Sequence, residues 1–149
     1  MKNIFLIFTL FSISIIAQET DYNIDANGCG VKGYDLVSYF DGEATSGKKE
    51  FSYTYDEVEY LFSSQGNLDK FKLNPTQYLP QYGGYCAYAM GKKGEKVKMD
   101  PSEFEIRDGK LYLFYKSYFN DTHKKWEKEG AEKLKEKADE NWEEITTKP

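Results

Sequence analysis

The stretch FSYTYDEVEYLF, residues 51–62, alternates large apolar side chains with polar ones on both sides of Asp56 and Glu57. A period of two in Tyr, Phe and Val is the pattern of a β-strand with one buried face. The stretch therefore predicts a hairpin of two antiparallel strands. Asp56-Glu57 is not one of the residue pairs that favour a tight two-residue turn, so the turn type stays open.

A second hairpin is predicted around Asp108-Gly109, a strong turn pair that separates residues 104–107 from residues 110–115. Apolar side chains occupy successive positions in the second of these strands, so we expect both of its faces to be covered. The two hairpins predict a small antiparallel sheet.

Helices are predicted around and after the hairpins. Ser63 or Ser64 can cap a helix that ends before Pro75, because the residue preceding a proline disfavours the helical region. From Phe119 onward, apolar residues recur at helical spacing, with Gly130 as a break between two helices; they are Trp126, Ala131, Leu134, Ala138, Trp142 and Ile145. The predicted fold class is α+β, with short helices and a C-terminal helical segment.

The first residues have the layout of a secretory signal peptide. A short basic start precedes an apolar run over residues 4–16, and Ala17 is a plausible last residue before cleavage. The run holds about 13 residues, whereas a membrane span needs roughly 20. We therefore predict a signal peptide at 1–17 and an exported protein, periplasmic or secreted, with no membrane span after processing.

In the remaining chain we predict a flexible N-terminal arm at 18–32, one domain at 33–145 and a C-terminal tail at 146–149. Its charge is mildly acidic, with 20 basic and 25 acidic residues in the full chain, and no basic cluster supports nucleic-acid binding. Aromatic residues make up 17% of the chain. Four tyrosines could line a ligand or partner surface or could simply pack a small core; they are Tyr78, Tyr82, Tyr85 and Tyr88.

Two cysteines, Cys29 and Cys86, are candidates for a disulfide in an exported protein. Such a bond would close a loop of about 57 residues and stabilise the fold by on the order of 4 kcal/mol in the chain-entropy model. The sequence alone does not show whether the two residues meet.

Cys86 and Met90 are four residues apart and would share one face of a helix. Thiolate and thioether are soft ligands that favour Cu(I) and related metals. His123 and Met99 could join such a site if the fold brings them near. Buried core packing is the alternative for each of these residues.

His123 is the only histidine, and it lies beside two lysines on a predicted charged helix. A hydrolytic Ser–His–Asp or Cys–His arrangement would need this one side chain as its base. No acid–base pair of carboxylates is recognisable either. An enzyme is therefore the least supported class of function.

Several segments together resemble the family of exported YHS-domain proteins. The similarity covers nearly all of residues 33 to 145, and Leu36 stands where proline is common in the family. The similar motifs are GYDLVSYF at 33–40, YLFSS at 60–64, NLDKF at 67–71, Asn74-Pro75 with Tyr78, residues 81–88, DGKLYL at 108–113 and the helix around Trp126.

The resemblance implies a small α+β domain related to metal-binding cysteine modules that occur beside copper-handling proteins. Of the two cysteines, Cys86 falls on the family's cysteine position. The first functional hypothesis is a non-enzymatic exported domain that binds copper or another soft metal through Cys86, with a metal-handling or envelope protein as partner. The alternative is a structural or interaction domain stapled by a Cys29–Cys86 disulfide.

Overall fold

A computed structural model describes residues 21–148. The predicted signal peptide, residues 1–17, lies outside the described residues. Within 21–148, no helix combines the length and the apolar character that crossing a bilayer requires.

The first hairpin pairs β1 (Lys48–Tyr55) with β2 (Val58–Phe62), with a register irregularity between Lys48 and Ser52. Asp56 and Glu57 form its turn with φ angles of 48° and 66°. Both residues thus adopt the left-handed conformation of a type I′ turn, which is costly without glycine. The turn that the sequence left open is therefore tight.

The next segment is helical, as predicted. Helix α1 (Gln65–Leu73) begins after Ser64, whose hydroxyl accepts a hydrogen bond of 3.2 Å from the Asn67 N–H. Helix α2 (Pro75–Tyr78) follows directly, with its proline in the first turn. Both lie beside the first hairpin in the chain and contribute to the same core.

The second hairpin pairs β3 (Asp100–Arg107) with β4 (Lys110–Phe114). A third, very short hairpin follows, with β5 (Lys116–Ser117) and β6 (Asn120–Asp121). The hairpins form separate two-stranded antiparallel sheets rather than one. The mixed α+β class predicted from the sequence is confirmed.

In residues 21–148, the remaining α-helices are α3 (Ala87–Lys93), α4 (Thr122–Glu129) and the longer α5 (Ala131–Thr147). The Asp121 side chain caps α4 by accepting a 3.0 Å hydrogen bond from the Lys124 N–H. The predicted break between α4 and α5 is confirmed at Gly130. Three single-turn 3₁₀ helices lie at Val31–Gly33, Ser38–Asp41 and Gln81–Gly84.

Strand β4 separates two hydrophobic cores. Leu111 and Leu113 belong to the core of the first hairpin and α1, whereas Tyr112 and Phe114 belong to the core under α3, α4 and α5. All four side chains are buried, which confirms that both faces of this strand are covered. Because side chains alternate along a strand, β4 can supply both cores at once.

Asp35 fastens the segment before β1 to the first hairpin and α1. Its fully buried carboxylate accepts hydrogen bonds from the N–H groups of Val37 and Ser38 at 2.9 and 3.3 Å. The other oxygen accepts from the Ser63 N–H and hydroxyl at 2.8 and 2.6 Å and from the Asn67 amide at 2.7 Å. Buried charge of this kind is stable only when it is fully hydrogen-bonded.

The described part of the predicted N-terminal arm packs onto the domain. Cys29 and Val31 are buried, and Cys29 forms a β-bridge with Glu59 of β2. Further along, the Asn23 N–H donates to the Gly83 carbonyl at 2.8 Å. The packed structure therefore includes residues before Gly33, because the backbone of this segment pairs with the edge of β2.

Candidate metal-binding site

Cys86 lies at the N-cap position of α3 and forms a β-bridge with Leu113 of β4. Its side chain is fully buried. The Tyr115 N–H donates to the Thr122 hydroxyl oxygen at 2.9 Å and, over the longer distance of 3.3 Å, to the Cys86 Sγ. The Thr122 hydroxyl is also 3.3 Å from the sulfur. The thiol is therefore held between β4 and the start of α4.

The protons around this sulfur can be assigned from its neighbours. The Thr122 hydroxyl donates its one proton to the Tyr115 carbonyl at 2.6 Å. It has lone pairs left, so the Cys86 S–H can donate to the Thr122 oxygen. The Thr122 oxygen thus lies between the Cys86 sulfur and the Tyr115 backbone, and the Tyr115 N–H is shared between that oxygen and the sulfur.

Met90 lies one helical turn beyond Cys86 and is also fully buried, within the core under α3, α4 and α5. Met99 is buried in the other core, beside the first hairpin. The structure therefore places two of the three sulfur candidates on α3 or at its start and separates the third.

His123 lies on α4 next to Thr122, but its imidazole belongs to a different group of side chains. The ring stacks on Phe114 with centroids 4.4 Å apart and planes inclined by 8°. Its Nε2 lies 3.4 Å from the Glu105 Oε2. In the part of the chain that the structure describes, Glu105, His123 and Glu127 form the one group of three potential metal ligands whose atoms all lie within 4.8 Å of one another.

Sequence reasoning missed the two carboxylates of this group. The sequence could have indicated Glu127, because it follows His123 by four residues on a predicted helix and so lies on the same face. Glu105 had no such signal, because its position depends on how α4 packs over β3.

The structure does not join the two cysteines that were candidates for a disulfide, since Cys29 and Cys86 are both free thiols. Cys29 is bridged to β2, whereas Cys86 is bridged to β4. The Cys29 S–H donates to Glu59 over 3.6 Å. Burial, together with the nearby carboxylates of Asp25 and Glu59, raises the pKa of the Cys29 thiol, so this residue is a poor thiolate.

The four candidate surface tyrosines take part in separate contacts. Tyr78 packs against the first core, and the Tyr88 hydroxyl donates to Glu129 at 2.9 Å. Tyr85 lies under the ammonium group of Lys96. Tyr82 is buried and donates to Asp139 at 2.8 Å; burial and this hydrogen bond raise the pKa of its phenol.

Tyr82 also lines a cleft with a volume of about 760 Å³. The cleft lies where α5 meets the turn of the first hairpin. Its lining is aromatic and acidic, since it includes Tyr22, Tyr82 and Trp142 together with Asp21, Asp56, Glu57, Asp139 and Glu143. This combination favours a cationic group over an anionic one.

Residues 36–82 match the family model of the YHS domain. This segment, about a third of the chain, is therefore similar to the YHS domain. The family is associated with metal binding and with copper. No curated protein and no solved structure matches the chain. The matched segment includes the first hairpin, α1 and α2, and Cys86 and His123 follow it in the sequence.

Proposed function

We propose that this protein is an exported, non-enzymatic domain that binds a soft metal ion such as copper, with Cys86 as the thiolate ligand. The association of YHS domains with metals and copper supports the class of function. The observation that carries the assignment to Cys86 is its free, fully buried thiol, with a backbone N–H shared between the sulfur and the Thr122 oxygen.

The donors around Cys86 fit a soft ion in kind. The Cys86 sulfur and the Met90 thioether lie one helical turn apart in surroundings that are largely apolar. Sulfur donors of both kinds are preferred by Cu(I) over hard cations. Cys86 would bind as the thiolate, and Met90 is the candidate for a second, weaker ligand.

Binding at Cys86 requires the loss of one proton and one contact. The thiol proton leaves when the metal binds, as for any cysteine ligand. The sulfur must also exchange its contact with the Thr122 hydroxyl for the ion. Because one chain offers two soft donors here, a metal-handling partner or a second copy would supply the remaining ligand.

Anaerobic competition for Cu(I) against a chromogenic chelator tests this proposal. The wild-type protein is expected to remove Cu(I) from the chelator, and Cys86→Ser is expected to lose this ability. Cys29→Ser is the matched control, because it removes the other buried thiol. The proposal fails if Cys86→Ser keeps wild-type affinity or if the wild-type protein takes no copper.

Export has a separate test, which is the mass of the protein recovered from the periplasm or the medium. Processing after Ala17 predicts a mature chain that begins at Gln18. Full-length protein confined to the cytosol would contradict export without affecting the metal proposal.

The acidic cleft favours a second candidate function, an interaction domain for a basic segment of a partner protein. The Lys96 ammonium already lies at the cleft border, 3.2 Å from Asp21 and 5.9 Å from the centre of the Trp142 ring. A lysine-rich peptide is therefore expected to bind the wild-type protein and to be rejected by Glu143→Lys. Equal binding by both proteins would exclude this cleft as the site.

A further inference from the structure

A second group of potential metal ligands lies between α4 and the second hairpin, apart from the sulfur residues. His123 and Glu127 are one turn apart on α4, and Glu105 faces them from β3. The Phe114 ring lies flat against the imidazole and fixes its plane. In this position the Nε2 atom of His123 lies near the Glu105 carboxylate.

The distances suit one small ion. The His123 Nε2 and the Glu105 Oε2 are 3.4 Å apart, and all three ligand atoms lie within 4.8 Å of one another. Two ligand atoms of a tetrahedral zinc site with bonds of 2.0–2.2 Å lie roughly 3.3–3.6 Å apart. A small movement of the exposed Glu127 side chain would bring the third atom into the same range.

A buried carboxylate oxygen without a hydrogen-bond donor is a second observation that favours a cation at this position. The Glu105 Oε2 is buried, and among the residues that the structure describes it has no hydrogen-bond partner. An unpaired buried carboxylate oxygen is costly, because it has lost its hydration without gaining a donor. A cation between Glu105 and His123 would compensate this oxygen.

Arg107 holds the two carboxylates in place without occupying that oxygen. Its guanidinium binds the Glu105 Oε1 and lies 2.7 Å from the Glu127 Oε1, so one oxygen of each carboxylate remains for an ion. Hydrogen bonds of this kind are typical of metal sites, where they orient the side chains that bind the ion.

We propose that Glu105, His123 and Glu127 bind a borderline divalent transition-metal ion, with Zn²⁺ as the representative ion. One imidazole and two carboxylates suit zinc better than a soft monovalent ion. His123 is 28% exposed and Glu127 54% exposed, so solvent reaches the site and can supply a fourth ligand. This site does not depend on Cys86, and its proposal stands independently of the soft-metal function.

Zinc competition against a fluorescent chelator tests this site, combined with thermal unfolding with and without Zn²⁺. The wild-type protein is expected to bind one zinc ion and to gain thermal stability from it. His123→Gln and Glu105→Gln should each weaken binding by at least about tenfold, the loss that even outer-shell substitutions bring about. His123→Gln should also abolish the thermal shift while remaining folded, because its side chain is partly exposed.

Two matched controls separate this site from its neighbours. Cys86→Ser should bind zinc like the wild type, because the thiol is not in the group. Glu132→Gln should do the same, because Glu132 contacts Arg107 at 2.9 Å but is not one of the three ligands. The proposal is overturned if the wild type binds no stoichiometric zinc, if His123→Gln retains it, or if Cys86→Ser loses it.

Discussion

Replacing Asp35 with asparagine tests whether the carboxylate before β1 fastens the first half of the fold. Its Oδ1 accepts two backbone N–H groups, and its Oδ2 accepts two donors from Ser63 and one from Asn67. Asparagine has nearly the same shape, but one of its terminal atoms is a donor. The substitution therefore changes hydrogen bonding and charge without opening a cavity.

The cost follows from the least damaging orientation of the new amide. With its NH₂ toward Ser63, the Ser63 hydroxyl and the Asn67 amide can turn to accept, but the Ser63 N–H stays unpaired. That buried donor costs about 2 kcal/mol, and the two bonds at Oδ1 each lose roughly 1 kcal/mol of charge assistance. We expect Asp35→Asn to lower the free energy of unfolding by about 4 kcal/mol.

Urea unfolding followed by tryptophan fluorescence measures this change, since Trp126 is fully buried in the second core. With an unfolding entropy of about 2.1 cal/mol/K per residue, the same loss lowers Tm by roughly 15 °C. Asp41→Asn is the matched control, because Asp41 is exposed and should change stability by less than about 0.5 kcal/mol. A loss below about 1 kcal/mol in Asp35→Asn would refute the reasoning, since even one unpaired buried donor costs that much.

Two further predictions concern helix packing and capping. A Cβ at Gly91 would lie 2.4 Å from the Leu134 carbonyl oxygen, so Gly91→Ala should destabilise the protein by about 2 kcal/mol. A Cβ at Gly66 would meet nothing closer than 3.9 Å, so Gly66→Ala should stabilise the protein by about 0.5 kcal/mol. Denaturant midpoints that shift in the same direction for both variants would contradict this. The backbone hydrogen bond from Lys124 lowers the pKa of Asp121 in the folded protein. The charge of Asp121 therefore stabilises the fold at any pH above the unfolded-state pKa of about 3.9. This stabilisation is lost as the pH falls through the lower pKa of the folded state. The stability difference between wild type and Asp121→Asn, which retains the cap, should therefore close in acid unfolding curves below about pH 4, and a difference independent of pH would exclude the charge effect.

Local patterns in the sequence were sufficient to predict the two main hairpins and the helices α1, α4 and α5. The alternation in residues 51–62 and the Asp108-Gly109 turn produce the two main hairpins, and apolar spacing places Trp126 and Leu134 on buried helix faces. The packing of residues 21–32 could not be predicted in this way. Its short polar and glycine-rich segment has no periodicity, and its burial depends on the exposed edge of β2.

The candidate sites also combine contacts that local spacing predicts with contacts that only the tertiary fold determines. Cys86 and Met90 were paired from their spacing, and the structure places both at or within α3. His123 was grouped with them because metal-binding residue types are few in this chain. Its true neighbours depend on a strand–helix contact that brings Glu105 to α4, which no spacing in the sequence encodes.

The start of α4 lies against both of the proposed metal sites. Thr122 and His123 are adjacent in the chain, yet the Thr122 hydroxyl meets the Cys86 sulfur while the His123 ring meets Phe114 and Glu105. Successive residues of a helix point about 100° apart, so neighbours at its first turn face different surroundings. The buried side of this turn offers sulfur in an apolar core, and the outer side offers imidazole and carboxylates near solvent. The two proposed sites therefore differ in burial and in ligand type, although they adjoin the same turn of helix.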